Sequence, residues 1–302
     1  MIETPDALFT RMQRGIFGQG FTEVTFPLSE RDLQEAERRY LQFLTLDAAE
    51  KEKFEVWIPG LHKADPSQGT RFGYKDEDRK RGQGDNKEYF HFGRFLRENL
   101  ASVIAASPQE ARDFIEAADE VLNGVDTSMR PVYQAFETRI PGFEGLFRDT
   151  PYTFLRFLAY KRPFNEADGL AIPHFDRGAL TEAIYENRPG LCILPATDDD
   201  FKGATPEEAA AKRAGVLERL LLHPVKHTPG TAFVFASDAI TSALPPEYLS
   251  QFPKGYHVVN EELLGQDYTR RTAIVAFISP KTGVTIGDWD SRHPHGGVGS
   301  YQ

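Results

Sequence analysis

The sequence predicts a mixed α and β protein, a helix-rich first half set against an antiparallel β sandwich or barrel. Three observations lead there. Over the first 150 residues apolar side chains recur mainly at helical spacing. From about Thr153 the period changes to short runs of β-forming residues: "TFLRFLAY", "GLCIL", "TAFVFAS", "YHVV" and "TAIVAFI". These runs are bounded by Pro, Gly, Asn and Asp and interrupted by one helical stretch, which favours antiparallel pairing over βαβ units.

The elements follow in order. Ser29-Glu30-Arg31-Asp32 reads as a capping box with Asp in the usual Glu position, and Leu33, Ala36, Tyr40, Leu41 and Leu44 follow at helical spacing. Residues 59–87, rich in Gly, Asp and Lys, read as a long exposed connection, and covering a site is one use for it. Ser107-Pro108-Gln109-Glu110 is a second helix start, with Pro108 expected at the first helical position. Ala111, Phe114, Ile115, Ala118, Val121 and Leu122 form the apolar stripe of that helix. In the β half, Thr205-Pro206-Glu207-Glu208 starts the interrupting helix, whose inward residues are Val216, Leu217, Leu220 and Leu221. The closing "DSRHPHGGVGSYQ" reads as a mobile tail.

Composition narrows the function classes. The 302 residues carry a formal net charge of −10 and no basic block, which argues against a nucleic-acid or anionic-membrane surface. No signal-peptide core or membrane-spanning run is present, so a soluble, cytoplasmic protein is expected. The single cysteine, Cys192, excludes an internal disulfide and any multi-cysteine metal site.

The stretch "PHFDRGALT", residues 173–181, carries the chemistry. On a strand, residues two apart point to one side, so His174 and Asp176 can face a common point. A third ligand is needed. Of the eight histidines, His257 is the best candidate, because "GYHVVN" is a β-run that holds the imidazole on a rigid element. Two histidines and one carboxylate are the ligand set of mononuclear iron sites that leave neighbouring positions open. A 2-oxo acid and dioxygen fit those positions. Arg270, with Thr272 expected on its face, could hold the far carboxylate of such an acid by a two-pronged bond.

These blocks resemble the 2-oxoglutarate- and Fe(II)-dependent oxygenase superfamily, in its isopenicillin-N-synthase-like branch. "HFDRGALT" is similar to its H-x-D-x-G-x-L-T block, "GYHVVN" to its H-R-V segment, and Arg270-Arg271-Thr272 to its Arg-x-Ser. "GFTEVTF", "LTLDAAEKEKF" and "DNKEYFHFG" extend the likeness into the first half. The departures are Thr272 for the usual serine, Ala236-Ser237-Asp238 for the Gly-Asp before the distal histidine, Val258 for the arginine after that histidine, and a longer insertion around 197–226.

The resemblance implies a distorted jelly-roll (double-stranded β-helix) core over 151–285, a helix-rich portion over 1–150 packed on it, and a tail over 286–302, all in one structural unit. It implies Fe(II) held by His174, Asp176 and His257, with 2-oxoglutarate as cosubstrate held by Arg270 and Thr272, and dioxygen as oxidant. Tyr160 is expected to bond a carboxylate of the cosubstrate, or else simply to pack. Hydroxylation of a small-molecule substrate, with release of succinate and CO2, is the expected outcome. The rivals are an Fe(II) oxidase of the same fold that uses no 2-oxoglutarate and a jelly-roll that binds a metal or ligand without catalysis.

Other polar residues have plainer expectations. His227 is the rival distal ligand, but it precedes "TPG" outside a strand; His223 ends a helix. His62, His293 and His295 are expected outside the site, and His91 is expected to be buried. Arg271 is expected to make a surface ion pair and Arg177 to point away from the metal. Arg156 shares a face with Tyr160, and Cys192 is a small core residue.

Overall fold

The computed structural model describes residues 3–59, 69–76, 87–148, 150, 153–161, 173–242, 244, 252–265 and 270–280. The expectations for His62, His293, His295, the tail and most of the 59–87 connection lie outside them. The first half holds α1 (Pro5–Gln19), β1 (Thr22–Thr25), α2 (Glu30–Leu44), α3 (Ala48–Glu52), β2 (Glu55–Pro59), β3 (Gly69–Asp76) and β4 (Lys87–Phe92). Helices α4 (Arg94–Asn99), α5 (Ala101–Ala106), α6 (Gln109–Glu137) and α7 (Phe143–Phe147) follow. The second half runs β5 (Phe154–Lys161), β6 (Leu180–Glu186), β7 (Leu191–Ala196), α8 (Pro206–Leu221), β8 (Thr231–Ala236), β9 (Lys254–Val259) and β10 (Arg270–Ile278).

The starts of α2 and α8 follow from their sequences. Ser29 and Asp32 form a reciprocal capping box, and Thr205 accepts from the Glu208 amide with Pro206 in the first turn. The start of α6 differs from expectation. Pro108 is the cap residue rather than the first helical one, and the Ser107 hydroxyl turns back to the Val103 carbonyl at 2.7 Å.

The strands form an antiparallel sheet in the order β1-β8-β6-β10-β5-β4-β3-β2 and a two-stranded sheet of β7 and β9. Four strands of the large sheet come from the portion expected to be mainly helical. They are short or carry little alternation; every described residue of β4 is buried, for example, so its period-two signal is lost.

The two faces of the large sheet have separate jobs. Leu155, Phe157, Ala159, Ile274, Ala276 and Ile278 face the helices and join a core with Phe114, Val121 and Val125 of α6. Their neighbours in sequence, among them Leu158, Tyr160, Ala273 and Val275, pack instead with Val259 of the small sheet. Ile193 and Phe235 continue this inner layer. The space between the two sheets is therefore the interior of the jelly-roll. Helix α8 closes the outside of the small sheet, with Val216 and Leu220 on Cys192, Leu194 and Val258.

A carboxyl buried on the helix side bears on stability. Glu182 is fully buried, and burial pushes its carboxyl up to about 8 against the pull of Ser128. The Ser128 hydroxyl lies 2.6 Å from Glu182 Oε1 and 3.0 Å from the Val125 carbonyl. With one proton to give, it satisfies both only if Glu182 carries a proton of its own. Above its unfolded-state value the unfolded chain has lost this proton while the folded chain keeps it. Stability from this group therefore falls as pH rises towards about 8. Glu182→Gln is expected to remove that slope. Its stability relative to the parent should rise by roughly 3–5 kcal/mol between pH 5 and pH 8. Urea midpoints at the two pH values check this; parallel shifts would show an ionised Glu182.

Candidate metal centre

The segment around His174 forms no regular strand, only a two-residue bridge. The amides of His174 and His257 each donate to the other's carbonyl at 3.1 Å, which sets the two residues directly opposite each other. Their rings lie 4.5 Å apart between centroids. Asp176, two residues on, is fixed by the Asp238 amide donating to its carbonyl at 2.9 Å.

The carboxylate then reaches both imidazoles, with Nε2 of His174 3.5 Å from Oδ1 and Nε2 of His257 3.6 Å from Oδ2. One ligand atom from each residue falls within 4.8 Å of the others, and among the described residues no other group of three or more His, Cys, Asp or Glu does this.

The surroundings prepare these atoms. Nδ1 of His257 lies 3.0 Å from the Gly255 carbonyl, so its proton belongs there and the Nε2 lone pair faces the site. Burial pushes the His257 ring below its ordinary range, against the pull of Asp176, and so favours the neutral form that a ligand needs. Burial would raise Asp176, but the two histidines and Thr181 outweigh it and hold the carboxyl well below the usual range. The Thr181 hydroxyl lies 2.8 Å from Asp176 Oδ2 and equally close to the Ser237 hydroxyl. A side chain at Gly255 would meet the Phe235 ring at 2.6 Å, and that ring packs on His257. The donor set is that of a two-histidine, one-carboxylate centre for a divalent first-row metal.

Cross-strand register decides which other residues face it. Thr181 lies opposite Phe277 on β10, so Phe277, Val275, Ala273 and Arg271 share the interior face. Arg271 is therefore inside the jelly-roll, not on the surface as expected. It is 3% exposed and donates from Nη2 to Glu186 at 2.6 Å, above the Tyr160 ring. Two atoms of this pair, Arg271 Nε and Glu186 Oε1, are buried without a hydrogen-bond partner. Burial pushes Glu186 up while Arg271 pulls it back.

Arg270 and Thr272 take the opposite parity and face the helices. Thr272 donates its hydroxyl to Glu37 of α2 at 2.5 Å, and Arg270 lies 3.8 Å from Glu88 of β4. Their expected place on the metal's face is thus corrected. Both faces of β10 are apolar, so alternation in the sequence gives no preference between the two arginines.

The remaining residues fall into place. His227 packs on Phe233, where burial and the charge of Arg271 push it down to about 4; it is not part of the triad. His223 and Arg177 are exposed, and Cys192 is buried in the core. Phe201 from the 197–226 insertion packs on Phe175, between the two ligands of the His174 segment. Thr181 and Glu186 were not singled out in the sequence, since five and ten residues separate them from Asp176 and only strand pairing brings them to its face.

No protein-family model and no curated protein matches the chain. Solved structures do. A full-length Neurospora crassa protein, in complex with alpha-KG, superposes with a TM-score of 0.60 at 17% identity, covering 92% of this chain and 79% of that one. A Caulobacter crescentus protein provisionally assigned to the 2OG-Fe(II) oxygenase family gives 0.56 at 18%, covering 91% and 82%. A rice dioxygenase for auxin oxidation gives 0.56 at 16%, covering 90% and 77%. The fold is that of 2-oxoglutarate/Fe(II) oxygenases. None of the described helices is long and apolar enough to cross a membrane.

Proposed function

We propose that this protein is a non-haem Fe(II)- and 2-oxoglutarate-dependent oxygenase of the isopenicillin-N-synthase-like type, and that it hydroxylates a C–H bond of a small molecule. The observation that carries the reading is the convergence of His174, Asp176 and His257 on the interior face of the jelly-roll. When bound there, Fe(II), 2-oxoglutarate and dioxygen supply the oxidising power, with succinate and CO2 as co-products.

The chain's own residues supply the rest. His174 and His257 offer neutral nitrogen donors and Asp176 an ionised oxygen. Thr181 holds the carboxylate in orientation. Arg271, rather than Arg270, anchors the distal carboxylate of the cosubstrate. It is a buried cation on the metal's face, as Lys87 of β4 also is, and its Nε still lacks a partner. Tyr160, directly across from it on β5, offers a hydroxyl to the same carboxylate. Phe233, Phe235 and Ile193 keep this interior dry.

Anaerobic titration of the purified protein with Fe(II) and 2-oxoglutarate tests the reading. A weak visible charge-transfer band that needs both components is expected. Iron binding without the band would mean an oxidase that does not chelate 2-oxoglutarate. No iron binding would overturn the reading entirely.

A further inference from the structure

A second interior arginine is left over by this chemistry. Arg156 of β5 lies opposite Val275 on one side and His91 on the other, one strand pair further along than Phe277. It therefore shares the metal's face. Phe277 is the cross-strand partner of Thr181, whose hydroxyl holds Asp176, so Arg156 stands one aromatic ring beyond the triad's own support.

Its guanidinium is held flat. The central carbon lies 4.5 Å from the Phe277 ring and 5.1 Å from the Tyr89 ring. Nε donates to His91 Nε2 at 2.6 Å, which fixes the rotation of the plane. His91 is in turn packed between Tyr89 and Phe154, at 4.6 and 5.1 Å. The two terminal nitrogens donate to no described residue, and no described acidic side chain forms an ion pair with this cation.

The contrast with Arg271 is sharp, because that arginine has Glu186 as its counter-ion. A half-buried cation oriented by three aromatic side chains, with its fork free and no counter-ion among the described residues, is built to receive an anion. Aromatic walls around it suit a flat apolar body.

We propose that Arg156 is the substrate-anchoring residue and that the substrate is a small organic acid. Its carboxylate is gripped by the two terminal nitrogens of Arg156, while its apolar body lies along Phe277 towards the triad. The inference deepens the oxygenase reading and rests on it for the word substrate. Arg156 touches the substrate's acid group, remote from the reacting C–H bond, so its effect is on binding and placement.

The test uses benzoate, phenylacetate and 3-phenylpropionate, each beside its primary amide, with the protein loaded anaerobically with Fe(II) and 2-oxoglutarate. Perturbation of the charge-transfer band reads binding. At least one acid is expected to bind about tenfold or more tightly than its amide, and Arg156→Gln is expected to erase that preference. The variant should need no more 2-oxoglutarate than the parent, and Arg156→Lys should keep part of the preference.

Acids and amides binding alike, a preference that survives Arg156→Gln, or no response to any acid would each overturn the proposal. So would a raised 2-oxoglutarate requirement in Arg156→Gln, which would move Arg156 to the cosubstrate's site. Thermal shifts of the metal-free protein with the same acids repeat the comparison without the band. An absent band therefore counts against the metal and cosubstrate reading alone, while the acid-versus-amide comparison still decides the role of Arg156.

Discussion

Replacing His174, Asp176 or His257 by alanine is expected to abolish Fe(II) binding at micromolar metal and, with it, the coupled turnover of 2-oxoglutarate proposed above. The expected loss in metal affinity exceeds about a hundredfold, because residues that merely orient a ligand already account for about 10- to 100-fold. The three variants need not lose the fold. His174 sits at a bridge with 27% of its side chain exposed, so truncating it leaves little cavity. Asp176→Ala removes a buried charge that, among the described residues, is met by the two imidazoles and the Thr181 hydroxyl. Isothermal titration with Fe(II) under anaerobic conditions, alongside circular dichroism, separates ligand loss from unfolding. A folded Asp176→Ala that bound iron as the parent does would mean that the three residues do not form the metal site. Thr181→Val is the graded companion. It keeps the ligands, removes the hydroxyl at Asp176 Oδ2, and should weaken metal binding by about tenfold.

The second large effect separates two adjacent arginines. Arg271→Gln is expected to raise the 2-oxoglutarate concentration needed for the charge-transfer band by about a hundredfold, whereas Arg270→Gln leaves it unchanged within about twofold. Fe(II) binding alone should survive both. The complication is Glu186. Removing Arg271 strands a buried carboxylate, which typically costs about 3–5 kcal/mol. The double variant Arg271→Met, Glu186→Leu takes away both charges and should fold at least as well as the single one. It too should lose 2-oxoglutarate, which distinguishes a missing anchor from a damaged fold. If Arg270→Gln raised the requirement and the folded double variant did not, the cosubstrate would lie on the helix side of β10, against the geometry described above.

The metal ligands were legible in the sequence because their chemistry is concentrated at few positions. His174 and Asp176 stand two residues apart, and His257 lies in a β-run, so residue type and local period sufficed to nominate all three. The helix starts at Ser29 and Thr205 were legible for a similar reason, since a cap is completed within three residues of its own chain. Strands β2 to β4 were harder. Their partners are each other and β5, and β4, buried on both faces, carries no alternation to read.

The sequence by itself determined the helix boundaries marked by local caps, an antiparallel sandwich or barrel that the family resemblance narrowed to a jelly-roll, and the identity of a two-histidine, one-aspartate set. Tertiary structure alone decided which face of β10 looks at that set. Period two states that Arg270 and Arg271 point in opposite directions but not which direction is inward, and with Ile274 and Ala276 on one side and Ala273 and Val275 on the other, hydrophobicity is silent. The pairing of Phe277 with Thr181, and of Thr181 with Asp176, fixes the answer. That register is a contact between strands about a hundred residues apart in the chain, set by packing between the helices and the small sheet.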